Sequence, residues 1–211
     1  GQAGCRVEAV NALPMTAIQV IGTHNSYKAA ISPPEMAMLT RVNPKAAMSL
    51  DYSKPSLTAQ LKAGARQLEL DYVYDPKGGR YANHLGLRMA AGKAPPYDHA
   101  AMAAPGLKVM HVPDIDYRSV CPTFISCLKE VRAWSVAHPQ HVPLLIIMNL
   151  KDDNIAIPGA TPLLPFDAAA MDGIDAEIRS VFPARSLITP DRVMGHYPTL
   201  RDAASAGNWP R

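Results

Sequence analysis

The feature that most constrains this chain is residues 142–150, Val-Pro-Leu-Leu-Ile-Ile-Met-Asn-Leu, apolar but for one amide near the end. A strand with one wet face alternates polar and apolar residues. This one does not, so both of its faces should be covered, as in a parallel sheet flanked by helices. Three further strands are expected at 17–22, 67–74 and 107–112. Helices are expected at 123–137, where Phe124, Leu128, Val131 and Trp134 keep helical spacing, and at 167–182, where Ile174, Ile178 and Val181 share a side. Ser56 can cap a short helix over Leu57, Leu61 and Ala65. The segment carrying Pro33, Pro34, Pro44 and Pro55 reads as loop, as do residues 80–106, and short elements follow at 186–189 and 199–206. Strands alternating with helices or long loops define an α/β chain. Periodicity leaves a doubly wound sheet and a barrel both open. The absence of a glycine-rich phosphate loop after the first strand counts against a doubly wound nucleotide binder.

A chain of 211 residues, 48% apolar and 18% charged, can bury a sizeable core. Its formal charge of +3 lacks the strong excess expected of a nucleic-acid binder, and no run of eighteen apolar residues exists to span a bilayer. Residues 1–4, Gly-Gln-Ala-Gly, suit a new start left by signal cleavage or tag removal. Cys121 and Cys127 lie six apart beside a loop proline, close enough for a local disulfide, which leaves Cys5 without a partner. Three free thiols in a cytosolic enzyme is the competing expectation.

Polar residues gather at the strand ends. His24 and Asn25 follow the first strand, Glu69 and Asp71 lie in the second, His111 ends the third, and Asn149 and Lys151 end the fourth. In a parallel α/β barrel such ends build the active site. Glu69 and Asp71 share one face of their strand, because side chains alternate with period two. Two carboxylates side by side need a cation or a proton between them, and oxygen ligands suit a hard divalent ion. Salt bridges to Arg66 or Lys62 are the plainer alternative. Two histidines can supply one base and one acid near neutral pH. Asn25 adds a possible ligand oxygen, and Lys151 can hold a phosphate oxygen or simply be an exposed lysine. His84, His99, His138, His141 and His196 read as surface histidines.

These blocks resemble the secreted calcium-dependent, phosphoinositide-specific phospholipase C family. Residues 21–27 (Ile-Gly-Thr-His-Asn-Ser-Tyr) are similar to its first catalytic block. Residues 67–71 (Gln-Leu-Glu-Leu-Asp) are similar to its calcium-holding strand, and 108–111 (Lys-Val-Met-His) to the block with the second histidine. Residues 145–151, 121–138 and 187–191 add to the likeness. The resemblance implies a single catalytic domain over residues 1–211, a distorted TIM-type (β/α)8 barrel incomplete in this chain. It also implies a Ca2+ ion held by Asn25, Glu69, Asp71 and Asn149, with His24 and His111 catalytic and Lys151 on the substrate phosphate.

Asp71 stands where metal-independent relatives carry an arginine, which favours the metal-dependent branch. Asn149 and Lys151 stand where animal relatives carry another acidic ligand, so Asp153 is a second candidate for that place. The implied substrate is a phosphatidylinositol lipid at a membrane surface, and the implied location is secreted or periplasmic. A barrel of this kind needs roughly 250 residues, with about 200 as the floor. The remaining strands, and a partner for Cys5, are therefore expected on another segment or a second chain. A glycerophosphodiester phosphodiesterase is the nearest alternative activity, although its usual His-Arg-Gly block is here His24-Asn25-Ser26. A non-catalytic calcium- or headgroup-binding barrel is the alternative from another class.

Overall fold

The computed structural model describes residues 2–210, with side chains from residue 8 onward and at residue 6. Cys5 and its pairing lie outside the described side chains. In chain order the elements are α1 (Gln2–Asn11), β1 (Gly22–Thr23), α2 (Pro33–Val42), α3 (Pro44–Leu50), α4 (Leu57–Lys62) and β2 (Gln67–Val73). They continue with α5 (Leu85–Met89), α6 (His99–Ala103), β3 (Lys108–Val109), α7 (Phe124–Ala137) and β4 (Leu145–Leu150), then α8 (Ala168–Val181), α9 (Pro190–Met194) and α10 (Leu200–Ser205).

β2 is the hub of a mixed α/β arrangement. It pairs in parallel with β1 through Gly22–Gln67 and Thr23–Leu68, and with β4 from Gln67–Leu145 to Tyr72–Leu150. Leu68, Leu70 and Tyr72 point together into the main core and are fully buried there with Phe124, Leu128 and Val131 of α7 and Ile174 and Val181 of α8. The ring of Tyr72 meets Phe124 edge-on at 4.7 Å. Thr123 caps α7 by accepting from Ser126 N, while Ser126 Oγ accepts from Thr123 N, a reciprocal box that satisfies otherwise orphaned amides. The Cys121–Cys127 disulfide forms as expected and closes the loop into this helix.

The fold departs from the sequence expectations at four places. First, β3 runs antiparallel to β2, pairing Tyr72 with Val109 and Val73 with Lys108. After β2 the chain does not cross back over the sheet. Gly106 N and Gly79 N donate to Asp75 O and Met102 O, closing a neck through which the chain re-enters beside the end it has just left. Gly78 makes that neck possible: it sits at φ +76, and a Cβ there would collide with the carbonyl oxygen of Ala103.

Second, β4 is covered on one face only. Ile146, Met148 and Leu150 pack on the core, whereas Leu145 and Ile147 are 40% and 45% exposed. The described sheet is open and does not close into a barrel. Third, the proline-bearing segment forms α2 and α3. Each begins with proline in its first turn, where a missing amide hydrogen costs nothing. Residues 80–106 likewise hold α5 and α6. Fourth, the strand expected at 17–22 shrinks to Gly22–Thr23, and Ile21 is exposed. Only its last residues reach a partner in β2.

Candidate active site and metal centre

The structure gathers the sequence-designated residues around the C-terminal half of β2. Ser26 docks the end of β1 onto β2 twice: its amide donates to Glu69 O and its Oγ accepts from Glu69 N. That docking sets the preceding residues. Asn25 takes a left-handed backbone with φ +48, which asparagine tolerates better than most residues, and its side chain is buried. Asn25 Nδ2 donates to Tyr52 Oη at 2.6 Å, and Tyr27 Oη donates to Asn25 Oδ1 at 3.4 Å. His24 projects outward, with a side chain 74% exposed and Nε2 3.7 Å from Glu69 Oε2. On the other edge of β2, Asn149 lies directly across from Asp71 in the parallel register.

Asp71 carries the strongest sign of a missing partner. It is buried, and neither carboxylate oxygen has a hydrogen bond. Lys151 Nζ approaches Oδ2 at 3.0 Å, an ion-pair contact off hydrogen-bond geometry, and Oδ1 has no hydrogen bond, with the Tyr27 hydroxyl nearby. The salt bridge that forms is to Lys151, not to Arg66 or Lys62: Arg66 turns instead to Leu61 O and Ala65 O and lies against Trp134, and Lys62 has no described ion pair. Burial and then the charge of Asp71 push the hydroxyl of Tyr27 well above the ordinary tyrosine range, so it stays protonated and able to donate. Burial also raises Tyr52.

These donors fit a hard cation. Glu69 and Asp71 offer carboxylates, and Asn25 and Asn149 offer amide oxygens beside an unsatisfied buried anion. Among the described residues no three His, Cys, Asp or Glu side chains converge on one point, so the amides are needed to complete a shell. Lys151 lies against Asp71, which was not foreseen from its place in the sequence.

His111 follows β3. Its Nδ1 lies 2.8 Å from Asp116 Oδ2, and its side chain is 20% exposed against a fully buried Asp116. A carboxylate accepts, so Nδ1 carries the hydrogen and Nε2 is the ring atom left for a substrate. Sequence inspection overlooked Asp116, although an aspartate five residues past a strand-end histidine, in Val-Pro-Asp-Ile-Asp, was a usable signal. Lys28 was also overlooked. It is wholly buried with Nζ 3.3 Å from Asp116 Oδ1, and no local pattern marks it. His84, expected at the surface, is completely buried, with its ring stacked 3.7 Å from that of Tyr117.

The strand ends of this α/β sheet thus carry two histidines, one of them bound to a carboxylate, beside two further carboxylates and two amides. Residues 13–211 match the model of one family, described as phosphoinositide phospholipase C, Ca2+-dependent. The chain belongs to that family. No curated protein sequence matches it.

Among solved structures, a calcium-dependent phosphoinositol-specific phospholipase C from Pseudomonas sp, a Gram-negative bacterium, superposes with a TM-score of 0.53 at 18% identity. That match covers 96% of this chain and 55% of the other. Its second crystal form gives 0.49 at 18% identity, with 90% and 48% covered, and its myo-inositol complex gives 0.49 at 18%, with 91% and 50% covered. The chain therefore spans about half the length of the solved structures it matches.

Proposed function

We propose that this chain carries the catalytic centre of a secreted or periplasmic calcium-dependent phospholipase C. It would cleave phosphatidylinositol-type lipids at a membrane surface into diacylglycerol and a cyclic inositol phosphate. The observation that carries this is the buried Asp71 carboxylate, without a hydrogen bond on either oxygen and in contact with one lysine, on the strand between the segments that carry His24 and His111. Asn25, Glu69, Asp71 and Asn149 would hold Ca2+. When bound, the ion supplies positive charge that lowers the pKa of a nearby hydroxyl and offsets charge gathering on phosphorus-bound oxygens.

The chain's own residues do the proton work. His24, free to turn on its exposed side, takes the proton from the inositol 2-hydroxyl as that oxygen attacks phosphorus. His111 gives a proton from Nε2 to the glycerol oxygen as the phosphorus–oxygen bond breaks. Asp116, hydrogen-bonded to Nδ1, supports the doubly protonated ring that this requires. Lys151, only 31% exposed and held at Asp71, reaches a substrate phosphate once that carboxylate has another counter-charge.

Phosphorus NMR of the products formed from phosphatidylinositol tests the assignment. A cyclic inositol phosphate is expected. Phosphatidate with free inositol, or glycerol phosphate with free inositol when deacylated glycerophosphoinositol is the substrate, would instead identify hydrolysis of the glycerophosphodiester phosphodiesterase type, which has no use for the 2-hydroxyl.

The family barrel would be completed by further strands on a separate segment or chain. The free edge of β4, with Leu145 and Ile147 exposed, offers the place. The Cys121–Cys127 disulfide supports an oxidising compartment.

A further inference from the structure

We infer that Lys28, acting through Asp116, is a positioning residue for His111. The inference rests on the proposed role of His111 as proton donor. Lys28 is 0% exposed, and a buried lysine is expensive unless its charge is paired and its hydrogens are used. Here they are used. Nζ donates to Tyr52 O at 2.6 Å and Leu50 O at 2.9 Å, lies 3.3 Å from Asp116 Oδ1, and sits 4.4 Å from the Tyr52 ring centroid. A methionine would fill similar space without that cost, so the packing alone does not call for a lysine.

The backbone around it is equally fixed. Lys28 N donates to Asn25 O, Ala29 N to Arg118 O, and Val120 N to Tyr27 O, tying the end of the first block to the segment 118–120 that follows Asp116. Asp116 in turn closes the turn after His111, its amide donating to Val112 O and its carbonyl accepting from Val112 N. Its two carboxylate oxygens are divided: Oδ2 faces His111 Nδ1 at 2.8 Å and Oδ1 faces Lys28. Oδ1 has no hydrogen bond, so Lys28 acts on it by charge at 3.3 Å: the ammonium favours the orientation that leaves Oδ2 on Nδ1, and with it the hydrogen on Nδ1 and Nε2 facing outward. The same lysine grips Leu50 and Tyr52, whose hydroxyl meets Asn25. One buried side chain thus links the acid–base residue to the wall of the proposed metal pocket.

The test uses Lys28→Met, Asp116→Asn and the double variant in the full protein. Nitrogen NMR of the substrate-free protein reads the His111 tautomer, and kinetics on phosphatidylinositol read kcat and KM. Wild type is expected to keep a hydrogen on Nδ1 of His111 both in the neutral ring and in the doubly protonated ring that donates from Nε2. Lys28→Met is expected to mix the tautomers and lower kcat about 10- to 100-fold with KM little changed.

Removing Lys28 leaves Asp116 buried without a counter-charge and can cost folding. The double variant removes both charges and is compared with Asp116→Asn alone: equal kcat is expected, because Lys28 acts through Asp116. A folded Lys28→Met protein with wild-type tautomer and kcat would overturn the inference. So would a double variant several-fold slower than Asp116→Asn. Should wild type fail to cleave phosphatidylinositol, the activity assignment falls, and the tautomer comparison still decides the role of Lys28.

Discussion

At the scale of single residues, the site separates groups that hold charge from groups that move protons. His111 is anchored by one ring nitrogen to a fully buried carboxylate, whereas His24 is exposed and tethered only loosely to Glu69. Replacing His111 by alanine should lower turnover by about 10²- to 10⁴-fold, while binding to phosphatidylinositol vesicles in a sedimentation assay stays near wild type. Loss of binding in parallel with turnover would mean that His111 holds the site together rather than serving the reaction.

His84 makes a different prediction. It is buried without a hydrogen bond on either ring nitrogen, packed on Tyr117 and 3.8 Å from Asp114. Burial pulls its pKa down from 6.5 to about 4, with the Asp114 charge opposing. The unfolded chain therefore binds this proton first as pH falls. Stability from this group is complete above about pH 6.5 and drains away down to about pH 4, by about 3 kcal/mol in all. Denaturant titrations across that window should show the loss, and His84→Phe, which keeps a flat ring, should flatten it. An unchanged slope in the variant would assign the loss to other groups.

At the scale of elements, the sequence was most legible where one physical requirement dominated. The alternation in β2 correctly put Leu68, Leu70 and Tyr72 on one face, which is the core face, and so Glu69 and Asp71 on the other, because a strand has only two faces. The spacing of Phe124, Leu128 and Val131 correctly marked α7. Prolines misled where they open helices, at α2 and α3, since the same residue also breaks them.

The direction of β3 was not legible at all. It follows from long-range hydrogen bonds between 75–79 and 102–106, which no local pattern encodes. The site was half legible: strand-end histidines and carboxylates stand out by type and spacing, whereas Lys28 and Asp116 matter only through a contact 88 residues apart in sequence. The disulfide before α7 belongs to this scale too. It closes a short loop, sequence separation 6, so removing it with Cys121→Ser and Cys127→Ser together should cost about 2 kcal/mol in urea unfolding. A change near zero would show that the capping box of Thr123 and Ser126 already fixes this turn.

At the scale of the whole molecule, the open edge of β4 and the catalytic cluster are two aspects of one sheet. The cluster sits around the C-terminal half of β2, one strand in from the uncovered face. If further strands complete a barrel, intact mass measured without reduction should reveal a larger covalent species or a tightly held second chain. A folded, active protein of 22.7 kDa alone would contradict that completion. The central claim is that the buried Asp71 carboxylate marks a calcium site on which the two histidines depend. Its most direct test is the rate of cyclic inositol phosphate release from phosphatidylinositol vesicles with calcium, and then with EGTA in excess. The account predicts turnover that falls to background in EGTA and returns when calcium is restored. Turnover that persists unchanged in EGTA would contradict it.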